Sequence, residues 1–326
     1  MAIEPCPLFS DREQVDFRRS GALQKLAIAW NARARMLSRL QELDETTSAV
    51  LVQRQADLFP TTRLERCAAS GRRLIYDVDD AVWLDTGSPG AHPLAFLKGT
   101  SRKAAWLASR ADQVIAGNDM LAEWLSRHSD EVVVVPSLVD PEHTPMRRHS
   151  ERGKVVLGWI GSSTTAPFLE RLRRPLERLV PALAERDVVL RVVGGRAPDI
   201  AGVRVRAQPW SEDTELECLE DMDIGLMPLP DLPFTRGKCA YKALQYMAAG
   251  VPVVTDDVGI TAQVVGQGSA GLVATGDDEW LDALLSLAEN ARLRARIGKA
   301  GRARADAEYS VQRWSPVLAR ALRGTG

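Results

Sequence analysis

Apolar positions along the chain switch between two periodicities. In the second half, short apolar runs recur at Lys154 to Ile160 (KVVLGWI), Val188 to Val193, Asp223 to Met227 (DIGLM) and Val251 to Thr255 (VPVVT). Each is brief and bounded by glycine or proline, which suits a strand buried on both faces of a parallel sheet. Between them, Pro167 to Glu185 places Leu169, Leu172, Leu176, Leu179 and Leu183 at helical spacing. Lys238 to Ala249 reads as a helix stopped by Gly250 and Pro252, and Leu281 to Ala307 as one long helix. The first half repeats the scheme less clearly. Strands are expected at Ala49 to Val52, Leu74 to Val78, Val114 to Ala116 and Val132 to Val135, with helices at Pro93 to Ser109 and Asp119 to Arg127. Pro136 to Arg152 is polar, carries Pro141 and Pro145, and reads as a domain linker. Strands alternating with helices predict the α/β class, with doubly wound parallel sheets.

Phe17 to Leu43 has Leu23, Leu26, Trp30, Leu37 and Leu40 on one stripe and mostly basic charges elsewhere, including Arg33, Arg35 and Arg39. Two readings stay open: a peripheral contact with a membrane surface or lipid acceptor, or a helix packed on the sheet with a solvated basic back.

Composition narrows the class. The chain has 326 residues, enough for about two domains at roughly 150 residues each. It is 45% hydrophobic and 26% charged, an ordinary globular balance, and its formal net charge of −1 argues against a general nucleic-acid binder. Cys6, Cys67, Cys218 and Cys239 lack zinc or redox spacing and read as free thiols in a reducing compartment. The four histidines form no metal pair, so no metal site is expected. No apolar run reaches the roughly 18 residues of a membrane span, and the N-terminus lacks the pattern of a signal peptide, so the default location is cytoplasmic.

Four segments end in site-like chemistry. Gly161-Ser162-Ser163 follows a strand with small residues that let backbone amides approach a phosphate. Gly194-Gly195-Arg196 follows the next; it suits the border of a nucleotide and equally a plain turn. Arg236, Lys238 and Lys242 gather where a loop enters a helix, and cations there oppose the macrodipole unless an anion is present. Tyr76-Asp77-Val78-Asp79-Asp80 ahead of Trp83 collects three carboxylates at one strand end, suited to a metal, a proton or a sugar hydroxyl. Asp77-x-Asp79 also allows a phosphatase reading, although Ala81 stands where a threonine or valine is usual.

In this order, these segments resemble the retaining family-4 glycosyltransferases of the GT-B fold, in the branch with an RGKC…YK…QYMAAG pattern. The carriers are residues 158–172, 188–195, 223–259 and 293–310, with weaker matches at 51–55, 72–84, 111–125 and 132–140. The resemblance implies two Rossmann-like domains facing across a cleft. An acceptor domain would span 1–150, a donor domain 151–308, and a C-terminal helix within 309–326 would cross back. The donor is a nucleotide-diphosphate sugar and no separate cofactor is expected. Gly161 and Ser162 match the glycine-rich turn, and Arg236 with Lys238 or Lys242 the basic pair on the diphosphate. Trp210, in the loop Ala207 to Trp210 after the second strand of that domain, would stack on the base or be buried.

Three departures accompany the resemblance. The two glutamates eight positions apart in many members are Gly237 and Gln245 here, leaving Gln245 for a ribose hydroxyl. Asp79-Asp80 replaces a His-Asp pair, shifting the sugar contact to these aspartates. Ala2-Ile3-Glu4-Pro5 resembles the second strand of the family domain, so its first strand-helix unit is expected to be missing, with an oligomer or partner compensating. The alternative to an active enzyme is a non-catalytic GT-B-like binding subunit.

Overall fold

A computed structural model describes residues 4–43, 47–84 and 99–324. Two compact units emerge. Of the described residues, 4–43, 47–84, 99–134 and 319–324 form one, and 135–318 the other.

The N-terminal unit carries a parallel sheet of β1 (Ala49–Gln53), β2 (Arg73–Val78), β3 (Gln113–Ala116) and β4 (Val132–Val134), in that order. Around it lie α1 (Asp11–Arg19), α2 (Ala22–Gln41), α3 (Arg63–Ala69), α4 (Thr100–Arg110) and α5 (Asp119–Leu125). The long helix expected from Phe17 is instead two. Ser10 and Glu13 form a reciprocal capping box at the start of α1, and extended Ser20 with Gly21 ends it before α2. The basic back of α2 has acidic partners within the chain. Arg33 lies 3.4 Å from Asp57, Arg35 2.8 Å from Glu13, and Arg39 pairs with Glu4. Leu23, Leu26 and Trp30 are exposed, Leu23 by 85%. Of the strand expected at Ala2 to Pro5, Ala2 and Ile3 lie outside the described residues, and Glu4 and Pro5 are not in a strand. The first part of the Pro93 to Ser109 helix, 93–98, also lies outside them.

In the second unit the order is β10-β9-β8-β5-β6-β7, all parallel: β5 (Lys154–Ile160), β6 (Asp187–Val193), β7 (Arg204–Gln208), β8 (Ile224–Met227), β9 (Val253–Asp256) and β10 (Leu272–Ala274). β7 escaped the sequence pattern because it is an edge strand, largely exposed, with arginines at alternate positions. The covering helices are α6 (Arg173–Ala182, led in by a 3₁₀ turn), α7 (Glu212–Asp221), α8 (Pro233–Arg236), α9 (Tyr241–Ala248), α10 (Thr261–Val264), α11 (Asp277–Glu289) and α12 (Ala291–Tyr309); a last helix, α13 (Val311–Arg323), begins in this unit and belongs to the first from Ala319 on. The single helix expected over Leu281 to Ala307 is broken at Asn290, whose side chain accepts from the Leu293 amide at 2.9 Å and starts α12 anew.

The polar segment 136–152 has no regular element, yet it is strapped to this unit. Val139 bridges to Ser310, Arg147 and Arg152 reach the buried Asp223 carboxylate at 3.1 and 2.6 Å, and His149 contacts the Gly250 carbonyl at 3.0 Å. Two apolar layers, one on each face of the sheet, hold the unit together. Leu244, Tyr246 and Met247 of α9 belong to one, and Trp159, Leu176 and Leu284 to the other. The four cysteines are free thiols.

Candidate functional site

Strand order locates the crevice in the second unit. From β5 the chain builds outward through β6 and β7, then returns to β8 on the other side of β5. The reversal leaves a switch point between β5 and β8, where ligands bind beyond the strand ends. The pairing of β5 with β8 covers only Leu157–Gly158 and Ile224–Gly225. Tyr246 closes the gap beyond it. Its hydroxyl accepts from the Ile160 amide at 3.0 Å and donates to the Leu226 carbonyl at 3.3 Å. Gly225 makes room, since a Cβ there would stand 2.4 Å from the Tyr246 ring.

The glycine turns meet at this edge. Gly161 donates to the Val193 carbonyl at 2.9 Å, and Gly194 to the Gln208 carbonyl at 3.0 Å. Gly194 has φ +85°, and a Cβ on it would lie 2.2 Å from the Gly161 carbonyl oxygen. A Cβ on Gly195 would lie 2.6 Å from Ala166, and one on Gly161 2.5 Å from the Trp159 ring and 2.7 Å from Lys242 Cε. Gly194 therefore packs on the Gly161 backbone, while Gly161 and Gly195 leave room for the Trp159, Lys242 and Ala166 side chains, with Ser162 and Ser163 exposed just beyond. Lys242, in the first turn of α9, holds its ammonium 5.3 Å from the centre of the Trp159 ring. It thus lies against the Gly161 turn.

Arg236 and Lys238 have protein partners. Arg236 makes a two-pronged pair with Asp231, 2.8 Å at its second contact, and both side chains are more than half exposed. The partnership lowers the Asp231 pKa and raises that of Arg236 through their hydrogen bond. The Lys238 ammonium sits 4.6 Å above the Phe234 ring. Arg236 therefore needs no external anion to balance its charge, contrary to the argument from macrodipole alone.

Glu215, which no sequence pattern marked, organises the other wall. Its carboxylate accepts from Trp210 Nε1 and from Gln245 Nε2, each at 2.6 Å. Trp210 is 55% exposed, so the buried reading of this residue fails. It follows β7, the third strand of the unit rather than the second. Glu215 lies in the acidic first turn of α7, where it passes for an ordinary helix-start carboxylate. Deeper in, Asp256 is buried and accepts from Arg171 at 2.7 Å, Trp280 Nε1 at 3.1 Å and the Leu229 amide at 2.8 Å. That fixes the loop leaving β8.

In the N-terminal unit, Asp79 and Asp80 follow β2 and share Arg54, at 2.7 and 2.9 Å. Arg54 sits at the end of β1 with φ +60°. Asp77 is pushed up to about 6, chiefly by burial and then by the charge of Asp79. Trp83 is buried and stacks on Trp124 at 4.0 Å, a packing role. Among the described residues no three His, Cys, Asp or Glu side chains are grouped as metal ligands, and no helix is long and apolar enough to cross a membrane.

Residues 154–290 match the family model of glycosyl transferases group 1. No curated protein matches the chain. Among solved structures, a mutant of TarM from S. aureus, in complex with Fondaparinux, alpha-GlcNAc-glycerol and UDP, superposes with a TM-score of 0.66. It is 12% identical over 89% of this chain, which spans 58% of that one. HepE from Anabaena, in complex with UDP and glucose, gives 0.65 at 16% identity, covering 94% of this chain and 83% of that one. Sucrose-phosphate synthase from Thermosynechococcus elongatus gives 0.65 at 13%, covering 90% and 78%. The fold is GT-B, built of two α/β units with parallel sheets.

Proposed function

We propose that the chain is a retaining glycosyltransferase that moves a sugar from a nucleotide-diphosphate sugar to an acceptor hydroxyl without a metal. The observation that carries this is the coincidence of the matched stretch, 154–290, with the glycine turns, Lys242 and the Glu215–Gln245–Trp210 wall. The UDP in the TarM and HepE complexes is in keeping with it.

In this reading the amides of Gly161 and Ser162 and the Lys242 ammonium take the diphosphate, with Ser163, Gly194 and Gly195 lining the approach. Gln245, oriented by Glu215, accepts from a ribose hydroxyl, and Trp210 offers its exposed face to the base. Arg236 or Lys238 stabilises the departing phosphate, which for Arg236 requires exchanging Asp231 for the ligand. The bond from the anomeric carbon to the β-phosphate oxygen breaks. The acceptor oxygen bonds to the same face, and its proton passes to the leaving phosphate. Asp79 or Asp80 contacts a sugar hydroxyl. We place the reaction in the cytoplasm.

Thermal shift against uridine, guanosine, adenosine and thymidine diphosphates tests the donor site. A ligand at 100-fold its dissociation constant adds about 2.7 kcal/mol. Lys242→Ala should remove most of the shift, and Glu215→Ala, which frees Gln245 and Trp210, should weaken nucleotide affinity about tenfold and so about halve the shift. A full shift in both variants would move the site elsewhere. A second reading, a non-catalytic binding subunit, is favoured by Arg54 holding both aspartates. Release of nucleotide diphosphate only when acceptor is present would exclude it.

A further inference from the structure

The N-terminal unit has an open cavity of about 490 Å³ that the donor reading does not use. Thr61, Thr62, Arg63 and Arg66 line it from α3 and its lead-in, Arg102 and Trp106 from α4. In a parallel sheet, helices start at the C-terminal ends of strands, so the starts of α3 and α4 bring this cavity to the binding edge. Its size falls in the range that holds a small ligand.

Its charge is one-sided. Arg66 lies over the Trp106 ring at 5.0 Å and donates to Thr62 Oγ1 at 3.0 Å, while Arg102 donates to the Pro60 carbonyl at 3.0 Å. Among the described residues no carboxylate pairs with Arg63, Arg66 or Arg102. The nearby acids, Asp57 and Glu65, are buried on Lys103 at 2.6 and 2.7 Å. Arg63 with Arg66 is a like-charged pair three residues apart on α3. Three guanidinium groups, one fixed by stacking and one by a carbonyl, suit the planar, forked recognition of phosphate oxygens.

We propose that this cavity binds a phosphate ester, the phosphorylated part of the acceptor. Only the word acceptor rests on the transferase reading; the phosphate site stands without it. Two sources share this chemistry, a soluble phosphate ester and a phospholipid headgroup.

Calorimetric titration of the full chain with glycerol 3-phosphate, with UDP saturating, tests the soluble source. Co-sedimentation with vesicles of phosphatidylglycerol, against vesicles of phosphatidylcholine alone, tests the lipid. Arg66→Ala and Arg102→Ala should each weaken the observed binding about tenfold and leave the UDP thermal shift unchanged. Both side chains are exposed, so the fold should tolerate the changes. Absence of binding in both arms, or binding that persists undiminished in both variants, would overturn the proposal. A missing UDP shift beside intact phosphate binding would fault the donor reading instead.

Discussion

Gly194 and Asp77 are the positions where one side chain decides most. A methyl on Gly194 would strain a φ of +85° and strike the Gly161 carbonyl. Gly194→Ala should therefore cost about 1–3 kcal/mol in a denaturant titration and reduce nucleotide affinity with it. Asp77 has its ordinary value of 3.8 raised to about 6. A carboxyl held above its unfolded value contributes stability that is fully present below pH about 4 and lost as pH rises through 6. Against Asp77→Asn, the native chain should therefore lose about 2 kcal/mol between pH 4 and 7 in parallel melts, and equal slopes would refute this. Glycine turns and cations were legible in the sequence because each carries its constraint in its residue type. Glu215, Arg54 and Asp231 were not. A carboxylate or guanidinium on a helix start or loop looks the same whether it meets water or a partner distant in the chain.

Elements show the same division. The end of α9 was legible. Gly250 adopts φ +67°, its amide bonds to Met247, and the Val251 amide reaches Tyr246, closing the helix as glycine readily allows. Periodicity overran the break at Asn290 because apolar spacing continues through it; only the capping side chain marks the boundary. β7 was missed because an exposed edge needs no apolar run. In the N-terminal unit, α3 and α4 are tied by a buried cluster that no pattern announces. Lys103 meets Asp57, Glu65 and the Phe59 carbonyl within 3.2 Å. Lys103→Met would strand two buried carboxylates and should cost about 3–5 kcal/mol by chemical denaturation. A loss under 1 kcal/mol would mean the acids find protons or water at no penalty.

At the scale of the molecule, each unit has its own sheet, and the doubly wound architecture expected from strand–helix alternation is present in the GT-B fold. A chain of two such bodies should not unfold in one step. Calorimetry should resolve two transitions, with UDP raising only the one that belongs to Val135–Leu318. A single transition displaced whole by nucleotide would contradict this. The strap over 136–152 bears on how such a protein can be divided. Residues 135 to 150 lack helix and strand, yet they supply Arg147 to Asp223 and Val139 to Ser310. A fragment begun at residue 151, where composition invites the cut, would discard a guanidinium from a sealed carboxylate and the backbone partner of Ser310. Cutting ahead of Val135 keeps both, so the serviceable boundary lies about one strap-length upstream of where polarity alone would draw it.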